Sequence, residues 1–223
     1  MHLRLLAETV LDVAADTHSF AYAQRDTDTA NAGFVSFFLC DWATLECREV
    51  PPAVFLQLKF GASAAAAQEW FENPLRCKAA LLPDGGCAVL ESGARLHLFR
   101  PDGVCGASVS LHYKEAPAQD IAAVGDSLWC TVPTHGALVR YSLAEREITL
   151  RVGGRDVFAA PQGLTRSADT LWLCCAGDST VQAFSLTELD ITERLQLPVV
   201  PVKYYRVFSR AFVLLENGSL CTL

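Results

Sequence analysis

Ser127-Leu128-Trp129-Cys130, Leu138-Val139-Arg140-Tyr141-Ser142-Leu143 and Glu147-Ile148-Thr149 recur, 43 residues on and without a gap, as Thr170-Leu171-Trp172-Leu173, Val181-Gln182-Ala183-Phe184-Ser185-Leu186 and Asp190-Ile191-Thr192. Each run is short, alternates apolar with polar residues and is bounded by turn formers, which is the pattern of a half-buried strand. A lead-in strand precedes each copy, at Gln119-Asp120-Ile121-Ala122 and Gln162-Gly163-Leu164-Thr165. Four strands repeated at roughly 40–45 residues are the size of one blade of a β-propeller.

Working outward, the same grammar continues in looser register. Lys78–Leu82, Cys87–Leu90, Leu96–Phe99 and Ala107–Leu111 make a unit divided by two Pro-Asp-Gly turns. Leu11–Ala14, Ser19–Ala23 and Phe34–Leu39 read as three strands, with Arg48–Phe60 expected to hold a fourth, interrupted at Pro51-Pro52. The C-terminus supplies only three strands, in 202–205, 211–215 and 219–223, while Leu3–Ala7 is a strand without a unit. Joining them closes the ring and hides two edges that would otherwise invite pairing with other chains. The expected fold is therefore all-β, a five-bladed β-propeller in one domain. Its blades lie near 10–60, 76–113, 118–154, 160–197, and 198–223 with 2–8. Six blades would leave about 37 residues each, short of the 43 observed. The alanines of the lead-in strands (Ala79, Ala80, Ala122, Ala123) suit five sheets meeting closely at an axis. One short helical insertion is expected in 61–75, where Ser63 can cap a run of alanines and Asn73-Pro74 can stop it.

Pro161-Gln162-Gly163-Leu164, the Leu171-Trp172-Leu173 strand, the turn Gly177-Asp178-Ser179 and the third strand ending in Phe184 resemble the repeat of the NHL, YVTN and SMP-30-like propellers. The resemblance implies a propeller superfamily whose members include binding platforms, lactonase-like hydrolases and scaffolds. The shared fold does not choose among them.

Composition excludes some functions. Hydrophobic residues are 51% of the chain, enough for a large core. The net charge is −7 with no basic run, which argues against nucleic acid, whose phosphates call for a basic patch. No apolar run reaches the eighteen or so residues of a membrane span. Neither does the N-terminus have the pattern of a secretory signal, so a cytoplasmic monomer is expected. The nine cysteines include no Cys-x-x-Cys pair. They read as small buried hydrophobes in a reducing compartment.

The candidate site is the mouth of the channel, on loops between second and third strands. Arg25, Asp26, Glu91, His135, Asp178 and Glu216 lie there. Were they to converge, Asp26, Glu91, Asp178 and Glu216 with His135 would make an acidic ring. Such a ring could hold a divalent cation or provide carboxylates for acid–base work. The remaining histidines, His2, His18, His97 and His112, read as structural or solvated. There is no Gly-x-Ser-x-Gly, P-loop or His-Glu-x-x-His signature. The expected function is a non-enzymatic binding module for a protein or small molecule, without a resident cofactor. The helix around Trp70 and the tyrosines Tyr113, Tyr204 and Tyr205 would be its exposed features. The alternative is a metal-dependent hydrolase, lactonase-like or acting on a glycosidic bond.

Overall fold

The structure, a computed structural model, describes residues 3–26, 34–61, 77–207 and 209–223. It opens with β1 (Arg4–Ala7). The first blade is β2 (Val10–Ala15), β3 (Ser19–Arg25), β4 (Val35–Asp41) and β5 (Cys47–Val50), followed by helix α1 (Pro52–Phe60). The second is β6 (Lys78–Leu81), β7 (Cys87–Leu90), β8 (Arg95–Phe99) and β9 (Cys105–Ser110). A small hairpin of β10 (His112–Tyr113) and β11 (Ala116–Pro117) leads to the third blade. That blade is β12 (Asp120–Val124), β13 (Ser127–Val132), β14 (Ala137–Ser142) and β15 (Glu147–Gly153). The fourth is β16 (Pro161–Ser167), β17 (Thr170–Cys175), β18 (Thr180–Ser185) and β19 (Ile191–Gln196). The fifth begins with β20 (Pro201–Val207), β21 (Arg210–Leu215) and β22 (Leu220–Thr222).

Every blade is a four-stranded antiparallel sheet, and β1 supplies the outer strand of the fifth, in the order β1-β22-β21-β20. The expected five-bladed propeller with its N-terminal closing strand is thus the observed fold. Sequence spacing carries into register: β13 and β17, and β14 and β18, begin and end 43 positions apart.

The apolar interior is divided into five clusters, one at each junction between blades. Leu90, Ile121 and Cys130 bind the second blade to the third. Trp129, Leu164 and Phe184 bind the third to the fourth. Trp172, Tyr204 and Val213 join the fourth to the fifth. Phe20, Trp42 and Phe212 lock the fifth against the first, with ring centroids 4.2–5.2 Å apart. Tyr204 is therefore a core residue and not a surface one, and Tyr113 is partly buried.

The first junction is different. Here α1 packs on β2, β3, β4 and β6, and Phe55 and Phe60 enter the cluster with Phe37 and Val89. The fourth strand expected to reach Phe60 therefore ends at Val50. Proline accounts for the change. Pro51 has no N–H to continue the β5 ladder, and Pro52 has the φ that the first helical turn requires. Phe55 and Lys59, four apart, then fall on one buried face. Gly61 ends the helix at φ 60°, its N–H bonded to the Gln57 carbonyl. Beyond Gly61 the helix expected in 61–75 lies outside the described residues.

The cysteine reading also needs correction. Cys40 and Cys47 stand opposite each other in the β4–β5 ladder, Cα atoms 4.1 Å apart, and form a disulfide. The seven-residue spacing hid this, because only the hairpin register makes the two face each other. Cys77, Cys87, Cys130, Cys174, Cys175 and Cys221 are buried, as expected, and Cys105 is exposed. Burial raises the Cys87 thiol to about 12, so it stays protonated.

Leu3 and Leu6 of the closing segment pack into the two clusters that flank the fifth blade. Removing residues 1–8 should cost about 3 kcal/mol of apolar burial and leave β22 with a bare edge. At roughly 2–4 °C per kcal/mol for a chain of this size, melting should fall by about 6–12 °C. Calorimetry measures the loss, and light scattering should detect association through the edge.

A candidate functional site in the central channel

β2, β6, β12, β16 and β20 are the inner strands of the five sheets. Each has one edge without a strand partner, so its backbone groups need another source of hydrogen bonds. Neighbouring blades provide it. Asp120 on β12 accepts from the Leu164 N–H on β16 at 2.8 Å, and from its neighbour Ile121 N–H at 2.9 Å. Lys203 on β20 donates to the Leu164 carbonyl at 2.9 Å. Thr165 donates to the Tyr204 carbonyl, Gln162 to the Pro201 carbonyl and Arg166 to the Ala123 carbonyl. Tyr205 reaches across to the first blade and donates to the Val13 carbonyl at 2.9 Å.

Charges gather around the same axis. Lys203 Nζ lies 2.5 Å from Asp120 Oδ2, with both side chains buried. On the other side, Lys59 Nζ lies 2.5 Å from Asp12 Oδ2. Lys59 comes from α1, so this helix gives the first blade the partner that another blade's strand gives Asp120. Burial alone would lower the Lys59 pKa, yet the Asp12 carboxylate outweighs it and the value stands above that of an ordinary lysine. Burial also pushes the Tyr205 hydroxyl well up, so it remains a neutral donor.

These positions are one structural column. Asp12, Gly163 and Lys203 each follow a bulge in the inner strand, and Asp120 is the 43-residue equivalent of Gly163. Gly163 is small for a reason: a Cβ there would stand 2.0 Å from the Val202 carbonyl oxygen. The fourth and fifth inner strands approach closely at this point, within the span that Lys203 crosses to Leu164 and Asp120.

A cavity of about 750 Å³ opens at the end of the channel where the inner strands finish. All five inner strands and α1 line it. Ala14, Leu58, Ala79, Ile121, Leu164 and Tyr205 form its walls, with Lys59 and Lys203 also in the lining. Arg166 and Arg206 stand at this end too. Arg206 is tied to Glu193 at 2.8 Å and lies over the Trp172 ring.

The loops singled out in the sequence sit at the opposite end, because second strands run antiparallel to inner ones. Glu91 Oε1 is 2.6 Å from His97 Nε2, and His97 Nδ1 is 2.7 Å from the Ser108 hydroxyl. His135 Nε2 faces the Lys114 carbonyl at 3.4 Å, its ring edge-on to Tyr113. Asp178 accepts from the Thr180 hydroxyl at 2.7 Å. The backbones of Arg25, Asp26 and Glu216 bond to Thr9, Phe34 and Val200. Among the described residues no three His, Cys, Asp or Glu side chains gather closely enough to hold a metal ion. The Glu91 and Asp178 carboxylates are thus engaged within their own blades.

Asp120→Ala should leave Lys203 buried without its carboxylate and cost about 3–5 kcal/mol. Adding Lys203→Met should recover much of that loss, because the stranded charge is gone. Denaturant midpoints of the two single variants and the double variant measure this coupling.

No family profile matches the chain, and no curated protein sequence does. Solved structures do. The WD40 β-propeller domain of Doa1 is 11% identical, with a TM-score of 0.62 over 99% of this chain and 96% of that one. A streptogramin B lyase is 12% identical, with a TM-score of 0.60 over 99% of this chain and 86% of the other. The computationally designed protein Ika4 is 8% identical, with a TM-score of 0.51 over 66% of this chain and 88% of that one. Identity at this level speaks to architecture alone, and on that the geometry and the comparisons agree: the chain is a β-propeller.

Proposed function

We propose that this protein is a non-catalytic binding module, in the manner of the NHL, YVTN and SMP-30-like propellers, that takes a small ligand into the channel end where its inner strands finish. One observation carries the reading: a cavity of about 750 Å³ to which all five blades and α1 contribute. That volume is within the usual range for small-molecule sites, and apolar walls with a few convergent polar groups are their usual lining. The polar groups present suit binding better than turnover. Asp120 already accepts from Ile121, Leu164 and Lys203, which leaves it poorly placed to act as a base. The hydrolase alternative depended on an acidic metal ring, and no observation favours it.

A ligand screen by thermal shift tests the proposal, since a ligand that binds only the folded chain must raise its melting temperature. Ser167→Trp narrows the cavity from its lining, whereas His135→Ala alters the opposite end. Hits should lose their stabilising effect in Ser167→Trp and keep it in His135→Ala. The reverse pattern, or turnover of a hit abolished by His135→Ala, would overturn the reading.

A further inference from the structure

His97 in β8 stands directly opposite Ser108 of β9, the outer strand of the second blade. Cross-strand partners share a face of the sheet, and the Ser108 hydroxyl is 2.7 Å from His97 Nδ1. On the other side of the ring Glu91 Oε1 lies 2.6 Å from Nε2, an ion-pair contact out of line for a hydrogen bond. Cys105 is three residues before Ser108, and in a regular strand it would point to the opposite face. The β8–β9 ladder slips between Leu98 and Phe99, however, with Gly106 the extra residue of β9. Such a bulge re-aims the side chain beside it. Cys105 Sγ comes within 3.7 Å of the Ser108 hydroxyl and 4.0 Å of His97 Nδ1, and it donates to the Ala107 carbonyl at 3.5 Å. Cys105 and Ser108 are exposed, His97 and Glu91 partly so. None of the four lines the channel cavity.

A thiol reacts as its thiolate, so a group must take its proton. These side chains form a path for it. The Glu91 carboxylate beside Nε2 favours a proton on that nitrogen, which leaves the Nδ1 lone pair to accept from the Ser108 hydroxyl. The hydroxyl oxygen in turn faces the thiol. As the Sγ proton passes to Ser108 Oγ, the serine's own proton passes to Nδ1, and Glu91 stabilises the imidazolium that results. Nucleophile, base and a charge that supports the base are the parts that covalent chemistry requires. Other cysteines lack them. Cys87 and Cys175 are buried, which pushes their thiols up to about 12, and Cys40 and Cys47 are joined to each other.

We propose that Cys105 is a site of covalent modification by thiol–disulfide exchange with a low-molecular-weight disulfide, its thiol activated by His97 through Ser108. The thiolate attacks one sulfur of the reagent, RSSR. That S–S bond breaks and a Cys105–S–S–R bond forms. The departing thiolate takes the proton held by His97 and leaves as RSH. Cys105 is oxidised by as much as the reagent is reduced, and excess thiol reverses the exchange. The added group stands on the outer half of the second blade, so this site is independent of what the channel binds.

Reaction of the folded chain with excess dithiodipyridine, followed by release of thiopyridone, tests the proposal. The wild type should release a single equivalent in a fast phase, and peptide mapping by mass should place the adduct on Cys105. Oxidised glutathione should give an adduct at the same residue. The fast phase should exceed the rate of a free peptide of residues 101–110, whose cysteine is open but has no His97 beside it, by about tenfold or more. Cys105→Ser should abolish that phase. His97→Gln and Ser108→Ala should each bring Cys105 down to the rate of the peptide. The buried thiols should stay unreactive in both variants, which shows that the propeller is intact. An adduct on another cysteine, a rate no higher than that of the peptide, or the wild-type rate in His97→Gln would overturn the assignment. Slowing in His97→Gln with none in Ser108→Ala would uphold activation by His97 and overturn the path through Ser108.

Discussion

The rest of this molecule depends on how its five inner strands satisfy the edges they turn toward the axis. A strand edge in a closed ring has no sixth sheet to pair with. It is also too confined for bulk water to serve every group well. Side chains bridge the gaps instead, each from one blade to the backbone of the next. Asp120 and Lys203 hold the two faces of Leu164, Thr165 and Gln162 hold the fifth blade, and Tyr205 ties the fifth blade to the first. Each bond also makes a polar group legitimate in an interior that is otherwise apolar. The charges near the axis are thus scaffold first, and whatever the channel binds is added to a network that already has structural work.

The junction between the first and second blades departs from this pattern. At three junctions an inner strand lies beside the next one, β6 beside β12, β12 beside β16 and β16 beside β20. At the first junction α1 takes part, filling the cluster with Phe55 and Phe60 and sending Lys59 to Asp12. A helix can do both because residues four apart share a face. A strand in the same place would have sent alternate side chains to opposite sides. Helix α1 is therefore part of the channel wall and contributes one of its cations.

Much of the architecture was legible in the chain because blades are large, repeated and bounded by turn residues. The 43-residue offset survives in the strand limits of the third and fourth blades, and the count of five followed from it. Local identity was harder. Val54-Phe55-Leu56 is as good a strand as a helix by composition, and only the conformational demands of Pro51-Pro52 decide it. The channel charges were missed for a different reason. Asp12, Asp120 and Lys203 each look like an isolated polar residue in an apolar strand, whereas turn carboxylates such as Glu91 and Asp178 stand out in the sequence and lie at the other end of the axis. In that column of inner-strand positions Asp12, Asp120 and Lys203 carry charge, and Gly163 is the exception. That exception also has a cause, since the backbone of the next blade occupies the space of its side chain.

The closing strand bears on how the ring comes to exist at all. Arg4 and Thr222 meet across a separation of 218 residues. On a ribosome the first four blades are complete before the partner of β1 has been made, so β1 must wait, unpaired, through nearly the whole of synthesis. Contacts of such long range carry the loop-closure entropy that slows folding, and an unpaired strand is a site for wrong pairing in the interval. β1 is short, and Glu8 follows it at once, both features that limit adventitious pairing. The pairing of β1 with β22 joins two segments far apart in the sequence, and with it the fifth sheet gains its outer strand.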